Sequence, residues 1–291
     1  MKTKKLIYLI ALCIAFITCK AVKDPQKSTA ATPIQQYANI KEKPISGKAN
    51  TASSNTYGSS FNTSATFNFL PRNPRNLPSK TLNRMGYTVS YNPVTKQPNW
   101  VAWHLTSWRT YGEATRKGIE FQADYDVANP VDTYDYVRSG FDRGHMCPAA
   151  DNKWSQKAMI QSFLMTNVCP QTHALNAGLW NSLETQCRNW ARKYGSVYVV
   201  SGPIFTRGSH QYIGSHHVMV PEAFFKVVLC LEGKPRAIGW IVRNTDEKGR
   251  KKTHFINTID QVERITGFDF FPALPDKIEN KIEAEANFTQ F

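Results

Sequence analysis

From about residue 67 onward the sequence predicts a single α+β domain, a central antiparallel sheet with flanking helices. Three observations predict it. Several short runs are rich in β-branched and aromatic residues and are bounded by turn formers, which is strand chemistry. One long stretch, Ala174 to Lys193, lacks proline and repeats its apolar residues at helical spacing. The helical stretches fall in separate places among the strands and do not alternate with them, which argues against a parallel βαβ sheet.

The elements follow in order. Lys2, Lys4 and Lys5 precede the apolar run Leu6 to Ile17, the pattern of an export signal over residues 1–19. That run is 12 residues long, too short for a permanent membrane span. Cys19, after Phe16-Ile17-Thr18, resembles a bacterial lipoprotein cleavage site. Two outcomes are open, a lipid anchor on Cys19 or free secretion. Either predicts an exported protein: periplasmic, anchored to the outer membrane, or extracellular. Residues 20–66 are rich in Ser, Thr, Ala, Asn and Lys, too polar to offset the entropy of ordering, and predict a flexible tether.

The folded domain is expected over 67–275. Tyr87–Tyr91 and Trp100–Leu105 read as paired strands. Thr110 to Asp135 reads as an irregular polar loop. A short helix is expected over Trp154–Met165, entered at Ser155. Val197–Val200, His217–Val220, Phe224–Leu231 and Arg236–Arg243 read as further antiparallel strands. Thr258 to Thr266 predicts a helix with Thr258 as its N-cap and Gly267 ending it. Residues 276–291 are charged and predict a partly helical tail.

Ala174 to Lys193 places Leu175, Leu179, Leu183, Cys187 and Ala191 on one face, with Trp190 and Tyr194 extending it. A second row beside it holds Asn176, Trp180, Glu184 and Arg188. Along an ideal α-helix Asn176 and Glu184 lie roughly 12 Å apart, too far for both to ligate one ion directly. Asn176 is the candidate oxygen ligand, with Glu184 acting through water. Magnesium suits such a site because it keeps several waters and takes few protein ligands.

Upstream stands Asp142-Arg143-Gly144-His145. An imidazole can be neutral near pH 7 and accept a proton from water. A guanidinium stays charged and can meet a phosphate with two parallel hydrogen bonds. The glycine permits a close backbone approach that a larger residue would block. Together these residues read as the active site of a one-metal nuclease. The net charge of +14 agrees, because such an excess favours polyanions such as nucleic acid, or anionic membrane surfaces. The three lysines of the signal account for only a small part of it.

On these residues the chain resembles the DNA/RNA non-specific endonucleases, the ββα-metal (His-Me finger) group. The matching elements are Asp-Arg-Gly-His at 142–145, Asn167-x-x-Pro170-Gln171, Leu175-Asn176 with Trp180, and Glu184. Ser201-Gly202-Pro203-Ile204-Phe205 and Pro221-x-x-Phe224-x-Lys226 match as well. The resemblance covers roughly Phe67 to Pro275. It implies a ββα-metal fold and metal-dependent hydrolysis of DNA and/or RNA with 5′-phosphate and 3′-hydroxyl ends. It implies His145 as general base and Asn176 as ligand of Mg²⁺, with Mn²⁺ as the alternative ion. It also implies Arg143, Asn167 and Glu184 as supporting residues, and an upstream arginine on the phosphate, for which Arg116 is the candidate.

Two rival readings stand beside this one. A catalytically inactive nucleic-acid-binding protein of the same fold would share the charge but not the intact His145, Asn176 and Glu184. A hydrolase pairing His145 with Cys147 or Ser201 lacks any Gly-x-Ser-x-Gly elbow. Arg188 reads equally as a salt-bridge partner of Glu184 or as a substrate contact. Cys147, Cys169, Cys187 and Cys230 form an even set in a chain expected to be exported, so one or two disulfides are expected, with the pairing open. Asp124, Asp126, Asp132 and Asp135 read as a solvated loop. His210, His216 and His217 lack metal-ligand spacing and read as a surface loop before a strand.

Overall fold

The computed structural model describes residues 69–206 and 208–291. The export signal, the tether and Cys19 lie outside the described residues.

The domain is built on a seven-stranded antiparallel sheet. Its strands are β1 (Lys80–Asn83), β2 (Thr88–Asn92), β3 (Gln97–Thr106), β6 (Ser196–Ile204), β9 (Ala223–Cys230), β10 (Arg236–Arg243) and β11 (Ile256–Asn257), paired in that order. Every strand expected for the central sheet is present except His217–Val220. Its Val218–Met219 instead forms β8 in a separate hairpin with β7 (Tyr212–Ile213). The central strands are apolar on both faces because both are covered. Along β9, Phe224, Val228 and Cys230 point into one core, and Phe225, Val227 and Leu229 into the other. Successive strand residues face opposite sides, so an uninterrupted apolar run is what a doubly covered strand requires.

The second face carries α3 (Ile259–Thr266) and α4 (Asp276–Glu283). Thr258 caps α3 by accepting from the Gln261 amide, and Gly267 closes it in the left-handed region at φ 74°. The first face carries a small layer that holds the site. There β4 (Asp142–His145) pairs with β5 (Val168–Gln171), and the chain then enters a helix. The short helix α1 (Gln156–Ser162) lies between them in sequence, with Ser155 as the expected N-cap.

Three expectations change. The stretch from Ala174 is not one α-helix. Leu175–Trp180 forms a π-helix and α2 begins at Asn181, running to Tyr194. A π turn takes in an extra residue, a feature frequent at functional sites. The charged C-terminus is partly helical, as expected, but it packs onto the domain: Ile282 is buried with residues of α3 and the sheet, and the Phe291 ring lies 4.2 Å from that of Trp190. All four cysteines of the domain are free and buried. Each is absorbed as a small apolar side chain, so the expected disulfides are absent among the described residues.

Candidate active site

A cleft of about 800 Å³ opens on the first face, between the β4–β5 layer and the N-terminal part of the helix. His145, Arg143, Asp142, Arg116, Asn176 and Glu184 all line it. Five of the six predicted site residues are therefore brought to one place.

His145 ends β4, and its backbone is gripped from two sides. Its carbonyl accepts from the Trp180 indole at 3.1 Å, which fixes the helix against the strand. On the other side Asn167 clamps the turn that follows. The Asn167 carbonyl accepts from Met146 N, its Oδ1 accepts from Cys147 N, and its Nδ2 donates to the carbonyls of Cys147 and Ser162. Asn167 is fully buried and does not line the cleft; its contacts are to the backbone of the turn after His145 and to Ser162.

The imidazole packs against Phe121 and Phe163, each ring centroid 4.9 Å away. This burial, and then the charge of Arg116, lower its pKa from 6.5 to about 3. Nε2 is buried without a hydrogen-bond partner, so Nδ1 is the nitrogen left toward the cleft.

Gly144 is needed for space. A Cβ there would meet the Gln171 side chain, with Oε1 at 2.1 Å and Cγ at 2.5 Å. Gly144→Ala is expected to lower stability by about 1–3 kcal/mol through overpacking and to displace His145. Thermal unfolding beside a nuclease assay checks it; an unchanged Tm would mean that Gln171 simply swings away.

Asn176 is the second residue of the helical stretch. Its Nδ2 donates to Asp142 Oδ2 at 3.0 Å, which fixes the amide orientation and leaves Oδ1 without a protein hydrogen bond. The Glu184 side chain makes no hydrogen bond to the described residues, and burial raises its pKa to about 7 against the opposing pull of Lys226. A neutral amide oxygen and a carboxylate are hard oxygen donors, and the Asp142 carboxylate orients the amide through its hydrogen bond. The residues present therefore fit a magnesium-type ion.

Arg143 donates to the Thr133 carbonyl at 2.8 Å and stacks near Phe121 and Tyr136, so its guanidinium is held in place. Arg116 lies exposed over the Phe163 ring at 5.4 Å. Arg188 does not pair with Glu184. Its ion pair is with the buried Asp151 at 3.0 Å, which also accepts from the Trp103 indole.

Cys147 and Ser201 are fully buried. Burial pushes the Cys147 thiol up, and the Ser201 hydroxyl donates to the Met146 carbonyl, so neither serves as a nucleophile.

Some residues with structural weight were missed by sequence reasoning. Asp124 and Asp135 are not in a solvated loop. Asp124 is buried on Arg84 and Thr166, and Asp135 accepts from His216 while closing a capping box with Asp132. His210 likewise pairs with Glu222 at 3.0 Å. Lys226 is fully buried with its ammonium 4.1 Å from the Trp180 ring centroid. Lys226 was named in the Pro221-x-x-Phe224-x-Lys226 match, but its burial was not foreseen, although a lysine inside the apolar run 224–231 was the available signal.

A hairpin carrying a histidine, followed by a helix carrying an asparagine and a glutamate, defines the ββα-metal nuclease fold. The chain belongs to the DNA/RNA non-specific endonuclease family, whose model matches residues 64–277. It is 38% identical to the mitochondrial nuclease EXOG of Danio rerio over 204 residues, 65% of this chain and 60% of that protein. It is 35% identical to the mitochondrial endonuclease G of Bos taurus over 204 residues, 65% of this chain and 68% of that one. A crystal structure of an endonuclease G–inhibitor complex superposes with a TM-score of 0.65 at 28% identity, covering 68% of this chain and 87% of that one. The chain spans 60% or less of the length of the EXOG nucleases it matches. These relatives, with a mitochondrial nuclease of Saccharomyces cerevisiae, overturn the expectation of an exported bacterial protein, because they are mitochondrial enzymes.

Proposed function

We propose that this chain is an endonuclease that hydrolyses phosphodiester bonds of DNA and RNA with little base selectivity, using His145 as general base and Mg²⁺, or Mn²⁺ in its place. The observation that carries this reading is the convergence of His145, Asn176 and Glu184 on one cleft rimmed by Arg116, Arg143, Lys153 and Arg188.

When bound at Asn176, the ion stabilises charge on the phosphate and on the leaving 3′ oxygen. His145 Nδ1 takes the proton of the attacking water as its oxygen bonds to phosphorus. The bond from phosphorus to the 3′ oxygen breaks, and that oxygen takes a proton from solvent. The ends are a 5′-phosphate and a 3′-hydroxyl. Burial, and then Arg116, lower the His145 pKa to about 3, so the imidazole is neutral near pH 7, the form that a general base requires. Arg143 and Arg116 offer charge where the phosphate becomes more negative. Contacts of this kind go to the backbone and carry no sequence information.

The test is degradation of supercoiled plasmid and of RNA by the purified chain, with magnesium and then with chelator. Cleavage of both that stops in chelator is expected. Intact plasmid and RNA across pH 6–9 with either ion would remove the enzyme reading. Binding measured in chelator is expected to weaken steeply as salt rises, through lost counterion release.

A further inference from the structure

On the sheet face opposite the cleft, α3 and α4 bring three carboxylates together. One oxygen each from Asp260, Glu263 and Glu283 lies within 4.8 Å of the others. This concentration of negative charge stands in a chain whose net charge is +14. Asp269 and Glu279 add to the repulsion felt by Glu263 and Glu283.

Glu283 supplies the second observation. It is 7% exposed, and its Oε1 is buried with no hydrogen-bond partner. Ile282 beside it is buried in the core, and α4 packs on α3, so the side chain is held toward the other two carboxylates. A buried, unpartnered carboxylate oxygen carries a large desolvation cost unless a counter-charge or a proton meets it. Burial first, and then the neighbouring carboxylates, raise the pKa of Glu283 to about 9 and that of Glu263 to about 7, the latter against a hydrogen bond that Glu263 accepts from Phe270 N.

We propose that Asp260, Glu263 and Glu283 form a structural site for a hard divalent cation, Ca²⁺ in preference to Mg²⁺, which fastens the C-terminal helix α4 to α3. Calcium is favoured because it takes several carboxylate oxygens in a flexible geometry, whereas magnesium dehydrates reluctantly and usually takes only one or two carboxylates. The remaining coordination is filled by water.

The test is thermal unfolding of the full chain in chelator and in excess CaCl₂, so the readout is independent of nuclease activity. For the wild-type chain, Ca²⁺ at a hundredfold excess over its Kd is expected to raise Tm by about 5 °C or more. The shift is expected to persist in Asn176→Ala, which removes the proposed ligand of the cleft. It is expected to vanish in Glu283→Gln, and in Asp260→Asn should the former fail to fold. A shift lost in Asn176→Ala but kept in Glu283→Gln would place the ion in the cleft alone and overturn the site. So would an absent Ca²⁺ response in the wild type together with a higher Tm for Glu283→Gln in chelator, which would mean that a shared proton, not an ion, relieves the crowding.

Discussion

His145→Ala is expected to lower kcat by about 10²–10⁴-fold while leaving nucleic-acid binding in chelator nearly unchanged, since loss of a general base costs that much. The variant removes the proton acceptor and keeps Arg116, Arg143 and Asn176 in the cleft. Near-normal turnover would remove the centre of the mechanism. The same variant has a signature in stability. The imidazole titrates near 3 in the fold and near 6.5 when unfolded. Between those values the unfolded chain binds more protons, so stability falls as pH drops from about 6.5 toward 3. His104, lowered to about 4 by burial and by Arg109, acts in the same direction. Tm against pH is therefore expected to fall less steeply on acidification in His145→Ala than in the wild type, with the His104 contribution remaining.

Asn176→Ala is expected to act on the metal first. It deletes the proposed direct ligand and the hydrogen bond to Asp142. The magnesium concentration at half-maximal activity rises, and the rate at saturation falls as well, because a misplaced ion costs rate through geometry. Glu184→Gln is expected to be milder in both respects, since Glu184 acts through water. Activity measured against magnesium for both variants checks this. An unchanged midpoint in Asn176→Ala would place the ion elsewhere in the cleft, with Asp142 the next carboxylate to test.

These outcomes depend on a geometry that the sequence foreshadowed unevenly. Local chemistry was fully legible. Thr258 and Gly267 bound α3 as their capping chemistry requires, and the apolar runs 224–231 and 236–243 became β9 and β10. The Leu175–Leu183–Cys187–Ala191 stripe is buried, and in the row beside it Asn176, Glu184 and Arg188 are half-buried and line the cleft, while Trp180 of the same row is buried. These features follow from spacing along the chain, and spacing is all a sequence displays directly.

What the tertiary structure decided was partnership. Arg188 stands four residues from Glu184, yet pairs with Asp151 from a distant turn. Asp124 and Asp135 look like loop acids, but the fold buries them by bringing Arg84, Thr166 and His216 to them. The four cysteines form an even set, yet all remain free thiols. The π-helix at Leu175–Trp180 breaks the regular period, and at its end the Trp180 indole donates to the His145 carbonyl across the layer. The sequence by itself named the candidate residues for the chemistry and most of the faces that the helices and strands bury, since both are read from residue type and period. Which charges meet, and which of them lie in the cleft, was decided by contacts between residues far apart in the chain, whose energies depend on a burial that no local window contains.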